Sequence, residues 1–244
     1  MIKFFRHIRR SLINQNQMGK YFKYAIGEIL LVVIGILIAL QINNANELRK
    51  QKQVEINILE GIKNDILLDT VDLNENFKHY NFFHKKDSMI LKHLLDKRKK
   101  EDSIVAYLEI SVVFDLILNL HDSHFEEAKI KGLSIITNNS LRDRISRLYE
   151  FDYKSLKLLE NSTDSYDTHK LLVPIFQPYF GLNQNGVTMS DEAYKELTSN
   201  GSALHYFREA MYSKEFLLNK YERTLTNVLQ VVDSIETELT RLKN

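Results

Sequence analysis

Cysteine is absent, and only two prolines and eight glycines occur among 244 residues. The lack of cysteine excludes disulfides, thiolate chemistry and cysteine-ligated metal. It is compatible with a bacterial periplasm without requiring one. So little proline and glycine, set beside abundant Leu, Ile, Lys, Glu and Asn, leaves few places to break a helix. Acid is missing from the start of the chain, where Lys3, Arg6, Arg9, Arg10, Lys20 and Lys23 all precede the first carboxylate, Glu28. Once those cations are set aside, the 33 basic residues no longer outnumber the 32 acidic ones. The distal part is therefore mildly acidic, which argues against nucleic-acid binding, since that normally needs a basic face. A glycine-rich phosphate loop and a Gly-x-Ser-x-Gly elbow are both lacking.

What is present is one long apolar run. Residues 25–42 are interrupted only by Glu28 and Gln41. About 18 residues at helical rise reach roughly 27 Å, enough to cross a hydrocarbon core. Cations crowd the near side, whereas Arg49, Lys50 and Lys52 on the far side are mixed with Glu47 and Glu55. The positive-inside rule then puts the N-terminus in the cytoplasm and the bulk of the chain across the membrane. A cleaved signal peptide has a shorter apolar region and a small-residue cleavage site. Here the run passes into Gln41-Ile-Asn-Asn-Ala-Asn-Glu47 without a good Ala-x-Ala pattern, so an uncleaved signal anchor is expected. Ahead of it, Phe4, Phe5, Ile8 and Leu12 fall at helical spacing with the arginines off that stripe, as in a short helix lying on the anionic inner leaflet.

Beyond the run, Val54, Ile58, Ile62, Ile66, Leu73, Phe77, Tyr80, Met89, Leu91 and Leu95 approximate a helical stripe, with Gly61 a candidate bend. A solvated turn is expected at 97–102 and a helix over 103–120. A break follows at 121–123, and a short helix at 125–131 is closed by Gly132. One of Asn138, Asn139 or Ser140 should cap a helix carrying Leu141, Ile145, Leu148, Tyr149, Leu156 and Leu159. Residues 171–185 read as irregular, 190–200 as a short helix and 202–242 as a long one. The fold expected is all-α, a single N-terminal transmembrane helix continuing into an extracytoplasmic antiparallel helical bundle. Its segments are a basic cytoplasmic piece (1–19), the anchor (20–44) and the outer domain (45–244).

The string Met1-Ile-Lys-Phe-Phe-Arg-His-Ile-Arg-Arg10, followed by Gly19-Lys-Tyr-Phe-Lys-Tyr-Ala-Ile-Gly-Glu28 and the run to Asn44, resembles a family of single-pass, N-terminally anchored proteins from Bacteroidota. The likeness is dense over about residues 1–50. It echoes weakly through Phe125-x-x-Ala128, Gly132-Leu-Ser-Ile-Ile-Thr-Asn138 and Leu141-Arg-x-x-Ile145. Where the family usually has Trp after the paired Asn, this chain has Ala45, so an interfacial aromatic is missing. The resemblance implies location and topology and brings no activity with it.

Few residues invite a functional reading. Glu28 inside the apolar run either bonds a partner helix or snorkels to the headgroups. Gly35 and Ala39 make a small-xxx-small pair that lets a second helix approach, so a membrane-protein partner or a second copy is expected there, within the lipid bilayer. His121 and His124, with Glu127, are the nearest approach to a metal cluster, yet the surrounding residues read better as a capped turn. No cofactor is expected. Phe176, Tyr179 and Phe180 either dock a partner or plug the end of the bundle. The function expected is that of a membrane-anchored periplasmic interaction or accessory protein without catalysis. The alternative is a ligand-sensing bundle that signals through a partner membrane protein.

Overall fold

A computed structural model describes residues 18–113, 118–161, 168–184 and 186–244. The expected interfacial helix near the N-terminus falls outside them. The chain divides into two units, Met1–Val54 and Glu55–Asn244.

In the first unit the backbone is helical from Met18, the start of α1 (Met18–Leu95). Its apolar side chains face outward: Ile29, Leu31, Ile34, Ile36 and Ile38 are all exposed. An 18-residue window has a mean hydropathy of 2.6 with none of it buried, long and apolar enough to cross a membrane.

Among the described residues the second unit is all-α apart from one small hairpin. In it α1 buries Ile58, Leu59, Ile62, Ile66, Leu73, Ile90 and Leu94. Opposite lies α8 (Gly201–Lys243), burying Val228, Val231, Ile235 and Leu239. Cross-helix pairs give the direction: Lys243 meets Glu60, Tyr221 meets Asn76 and Lys214 meets Asp87. The two helices are therefore antiparallel, as their matching stripes predict. Near its end the stripe of α1 departs from expectation. Met89 and Leu95 are exposed while Ile90 and Leu94 point inward, because Ile90 and Leu94 join a core with Leu108, Phe176, Leu197 and Phe207. The helix stops where Lys97 takes φ 49° and the Arg98 amide reaches back to the His93 carbonyl at 3.2 Å. That closure resembles a Schellman motif with lysine in the usual glycine position.

Shorter helices fill the sides. They are α2 (Asp102–Val113), α3 (Ser123–Lys131), α4 (Asn139–Arg147), α5 (Lys154–Asn161), α6 (Thr168–Phe176) and α7 (Asp191–Ser199). Asn138 and Ser190 cap α4 and α7, accepting from the Leu141 and Ala193 amides. Gly132 ends α3 at φ 93°, a conformation that favours glycine. The helix expected over 103–120 is shorter: residues 118–122 are not helical, and the His121 amide is taken instead by the Asp69 carboxylate at 2.8 Å. A π turn, Leu148–Tyr153, joins α4 to α5.

The region read as irregular is largely structured. Pro174 sits inside α6, where it removes one hydrogen bond from a short helix. Burial of Leu172 and Phe176, one turn apart, offsets that loss. After a 3-10 turn, β1 (Gly181–Asn183) pairs antiparallel with β2 (Gly186–Thr188), Leu182 opposite Val187. Gly61 breaks nothing. A Cβ there would lie 2.1 Å from His124 Cδ2, so the glycine makes room for an imidazole rather than a bend.

Candidate functional site

On the apolar part of α1, Glu28 is half-buried, while Gly35 and Ala39 are exposed. A Cβ added at Gly27 or Gly35 would meet nothing within 4 Å. This face is open to a neighbour.

Further along the same helix, Glu55, Asp65, Asp69 and Asp87 are all buried. Burying a carboxylate is costly unless it is paired and hydrogen-bonded, and each of these has partners from another element. Glu55 accepts from the Thr137 amide at 2.7 Å and from its hydroxyl at 2.9 Å. Asp65 accepts from His124, by its amide at 3.2 Å and its Nδ1 at 2.9 Å. Asp69 holds His121 in the same two-point way, at 2.8 Å and 2.9 Å. Asp87 accepts from Lys214 Nζ at 2.8 Å, and Ser111 Oγ bonds both of them.

The Asp69–His121 pair carries the clearest electrostatic signature. Burial pushes the Asp69 carboxyl upward, against the opposing hydrogen bonds from His121. The bond to Asp69 in turn raises His121 above its ordinary value. Asp69 Oδ2 and the Tyr153 hydroxyl are buried beside each other without a well-formed hydrogen bond, and burial drives the Tyr149 and Tyr153 phenols upward. An Asp–His pair can orient a base, but the nearby hydroxyls are directed elsewhere. Ser123 Oγ points to Asp65 at 3.4 Å and Tyr149 to the His121 carbonyl at 3.4 Å. The chemistry these groups carry out together is attachment: the two aspartates fasten the start of α3 to α1.

His121 and His124 thus turn their Nδ1 atoms toward aspartates, and Glu127 faces Lys131 at 3.6 Å. The three do not converge, and among the described residues no group of three such ligands could hold a metal. A cleft of about 220 Å³ lies beside them, lined by Asp122, the stacked Phe125 and Tyr149, Glu126, Glu150 and Lys154. Its charges largely neutralise one another, since Lys129 bridges Glu126 and Glu150.

The aromatic segment is turned inward. Phe176 is buried with its ring 5.7 Å from that of Phe207. Tyr179 Oη accepts from Asn200 at 2.9 Å, and Phe180 packs half-buried on the same core. On the hairpin, Leu182 is an exposed large apolar side chain. The buried Asp87–Ser111–Lys214 cluster had no signal in the sequence, because its members lie far apart in the chain and none belongs to a motif.

An all-α protein with, among the described residues, one helix long and apolar enough to cross a membrane is the class that fold and surface define. Residues 28–177, more than half of the chain, match a family of unknown function (DUF6090), and the chain belongs to that family. No curated protein and no solved structure matches it.

Proposed function

We propose that this chain is a membrane-anchored interaction or accessory protein of the bacterial cell envelope, with its N-terminus cytoplasmic and residues 45–244 periplasmic. The observation that carries the reading is the apolar window of α1, none of which is buried by the rest of the chain. Leaving Ile29 to Leu40 in water would forfeit ~25 cal/mol for every Å² of apolar surface. A bilayer removes that cost. Orientation follows from the charges: the leader is purely basic, while beyond the run Lys50 is paired with Glu47 at 3.2 Å. The likeness to anchored proteins of Bacteroidota supports the same placement.

Within the bilayer, Glu28, Gly35 and Ala39 are the contact residues for a partner membrane protein or a second copy. Small residues let two helices approach closely. A carboxylate costs ~2.5–3.5 kcal/mol at mid-bilayer and less near the interface, which favours a bonded partner. The role of residues 45–244 in this reading is interaction. Purification of the full-length protein in mild detergent, beside Gly35→Leu and Glu28→Leu, tests the proposal. A membrane protein or second copy that co-purifies with wild type and is lost from both variants is expected. Recovery of the wild-type chain alone and monomeric would overturn the partner reading.

A further inference from the structure

A second cleft in the outer unit, about 290 Å³, opens where α4 passes into the π turn. Arg144 and Arg147 stand on one wall, Asn227 and Gln230 of α8 on the other, over a floor of buried Leu148 and Val231. Asp152, the one acid lining the cleft, is already engaged: it accepts from Asn227 Nδ2 at 3.0 Å and lies 3.9 Å from Lys220 Nζ. The arginines are held only by uncharged groups. Arg144 donates to the Ser234 hydroxyl at 3.1 Å, and Arg147 lies over the Phe151 ring at 5.9 Å. Among the described residues, neither guanidinium has a carboxylate within ion-pair distance. Exposed arginines that lack an acid usually face open solvent, but these two line a concave site. The site also borders a π turn, a distortion often found at functional positions.

We infer that this cleft binds a phosphate group. One guanidinium fork satisfies both oxygens of a carboxylate, so a pair of forks suits an anion with more oxygens. Residues three apart on a helix place their Cβ atoms about 5–6 Å from each other, a spacing that lets both forks reach one tetrahedral anion once Arg144 leaves Ser234 and Arg147 leaves the Phe151 ring. The Gln230 amide supplies a further donor from the opposite wall. The phosphate belongs either to a soluble monoester or to a monoester lipid headgroup, and the cleft would read the same chemistry in both.

The test is thermal unfolding of the full-length protein in neutral detergent, at constant ionic strength. Inorganic phosphate and dihexanoyl phosphatidic acid, a phosphomonoester lipid, are titrated separately against sodium chloride. At least one should raise the unfolding temperature beyond the chloride control, and whichever acts at lower concentration identifies the source. Arg144→Gln/Arg147→Gln should weaken the response roughly tenfold to a hundredfold, as expected for charge-assisted hydrogen bonds. Arg208→Gln should respond like wild type. Arg144→Lys/Arg147→Lys retains the charge, guards against a folding defect in the first variant, and should still bind more weakly because the fork geometry is lost. If neither probe exceeds chloride, or if both double variants respond like wild type, the inference is wrong.

Discussion

The two units treat polarity in opposite ways. Up to Val54 the apolar side chains of α1 lie on the outside, with Ile29, Leu31 and Ile36 all more than 60% exposed. From Glu55 onward the helix buries its apolar stripe and also takes carboxylates inside, each tied to a group from elsewhere in the chain. The contrast separates two demands. The second unit covers its own apolar stripe and places charge pairs inside it, which stabilise a fold no more than apolar packing of equal volume. Among its described residues, nothing in the first unit covers the apolar run.

The contrast breaks most severely at Lys214. Its removal as Lys214→Met would strand Asp87, only 1% exposed, without its cation. A cost of about 3–5 kcal/mol is expected in urea unfolding of the detergent-solubilised protein. Asp87→Leu in the same background should recover most of it. If the single variant unfolds like wild type, the pair is not buried as described.

The complementary change lies in the apolar run. Ile34→Arg should cost about 2.5–3.5 kcal/mol of membrane insertion and leave the unfolding transition of the outer unit in place. Carbonate extraction reads the first effect and circular dichroism the second. A large shift of the transition would mean that the outer unit depends on this helix face.

Gly61 gives a smaller and more specific effect. An added methyl would overlap the His124 ring, so Gly61→Ala should cost about 1–3 kcal/mol. In a His124→Ala background the same substitution should cost little, a coupling that a double-mutant cycle measures. Additive costs would show that the glycine serves something other than the imidazole.

The smallest effect is titration at Asp69–His121. The folded pKa of His121 lies above the ordinary 6.5, so its contribution is complete below that value and is lost as pH rises through the folded one. Asp69 is raised as well, so the folded state also holds this proton more tightly and the sign is the same. The outer unit should therefore unfold at a lower temperature at pH 8 than at pH 6, and His121→Gln should flatten this difference. The effect is modest because His121 is nearly half exposed and screened by solvent. A transition that rises from pH 6 to pH 8 through His121 would refute the assignment.

Much of this architecture is legible in the sequence, for identifiable reasons. Scarce proline and glycine announce the long helices. Asn138, Ser190 and Gly132 act locally, so their capping roles can be read without knowledge of the fold. The π turn is harder to see, because Leu148, Tyr149, Tyr153 and Leu156 retain a near-helical apolar spacing through it. Pro174 suggested a loop, yet tertiary burial of Phe176 carries α6 through it. The fit of the His124 ring against Gly61 leaves no trace in the sequence; it arises only when α3 lies against α1. The same holds for the buried acids, since Glu55, Asp65, Asp69 and Asp87 look like solvated charges until their partners arrive from other helices. The open face at Gly35 and Ala39 was legible because no tertiary partner is required to see it.

The central claim is that the exposed apolar helix carries the outer unit across a membrane with the N-terminus left behind. A C-terminal alkaline phosphatase fusion, expressed in bacteria and fractionated with a carbonate wash, tests this most directly. The account predicts an active fusion retained in the membrane pellet. An inactive fusion, or release of the protein into the soluble fraction, would contradict it.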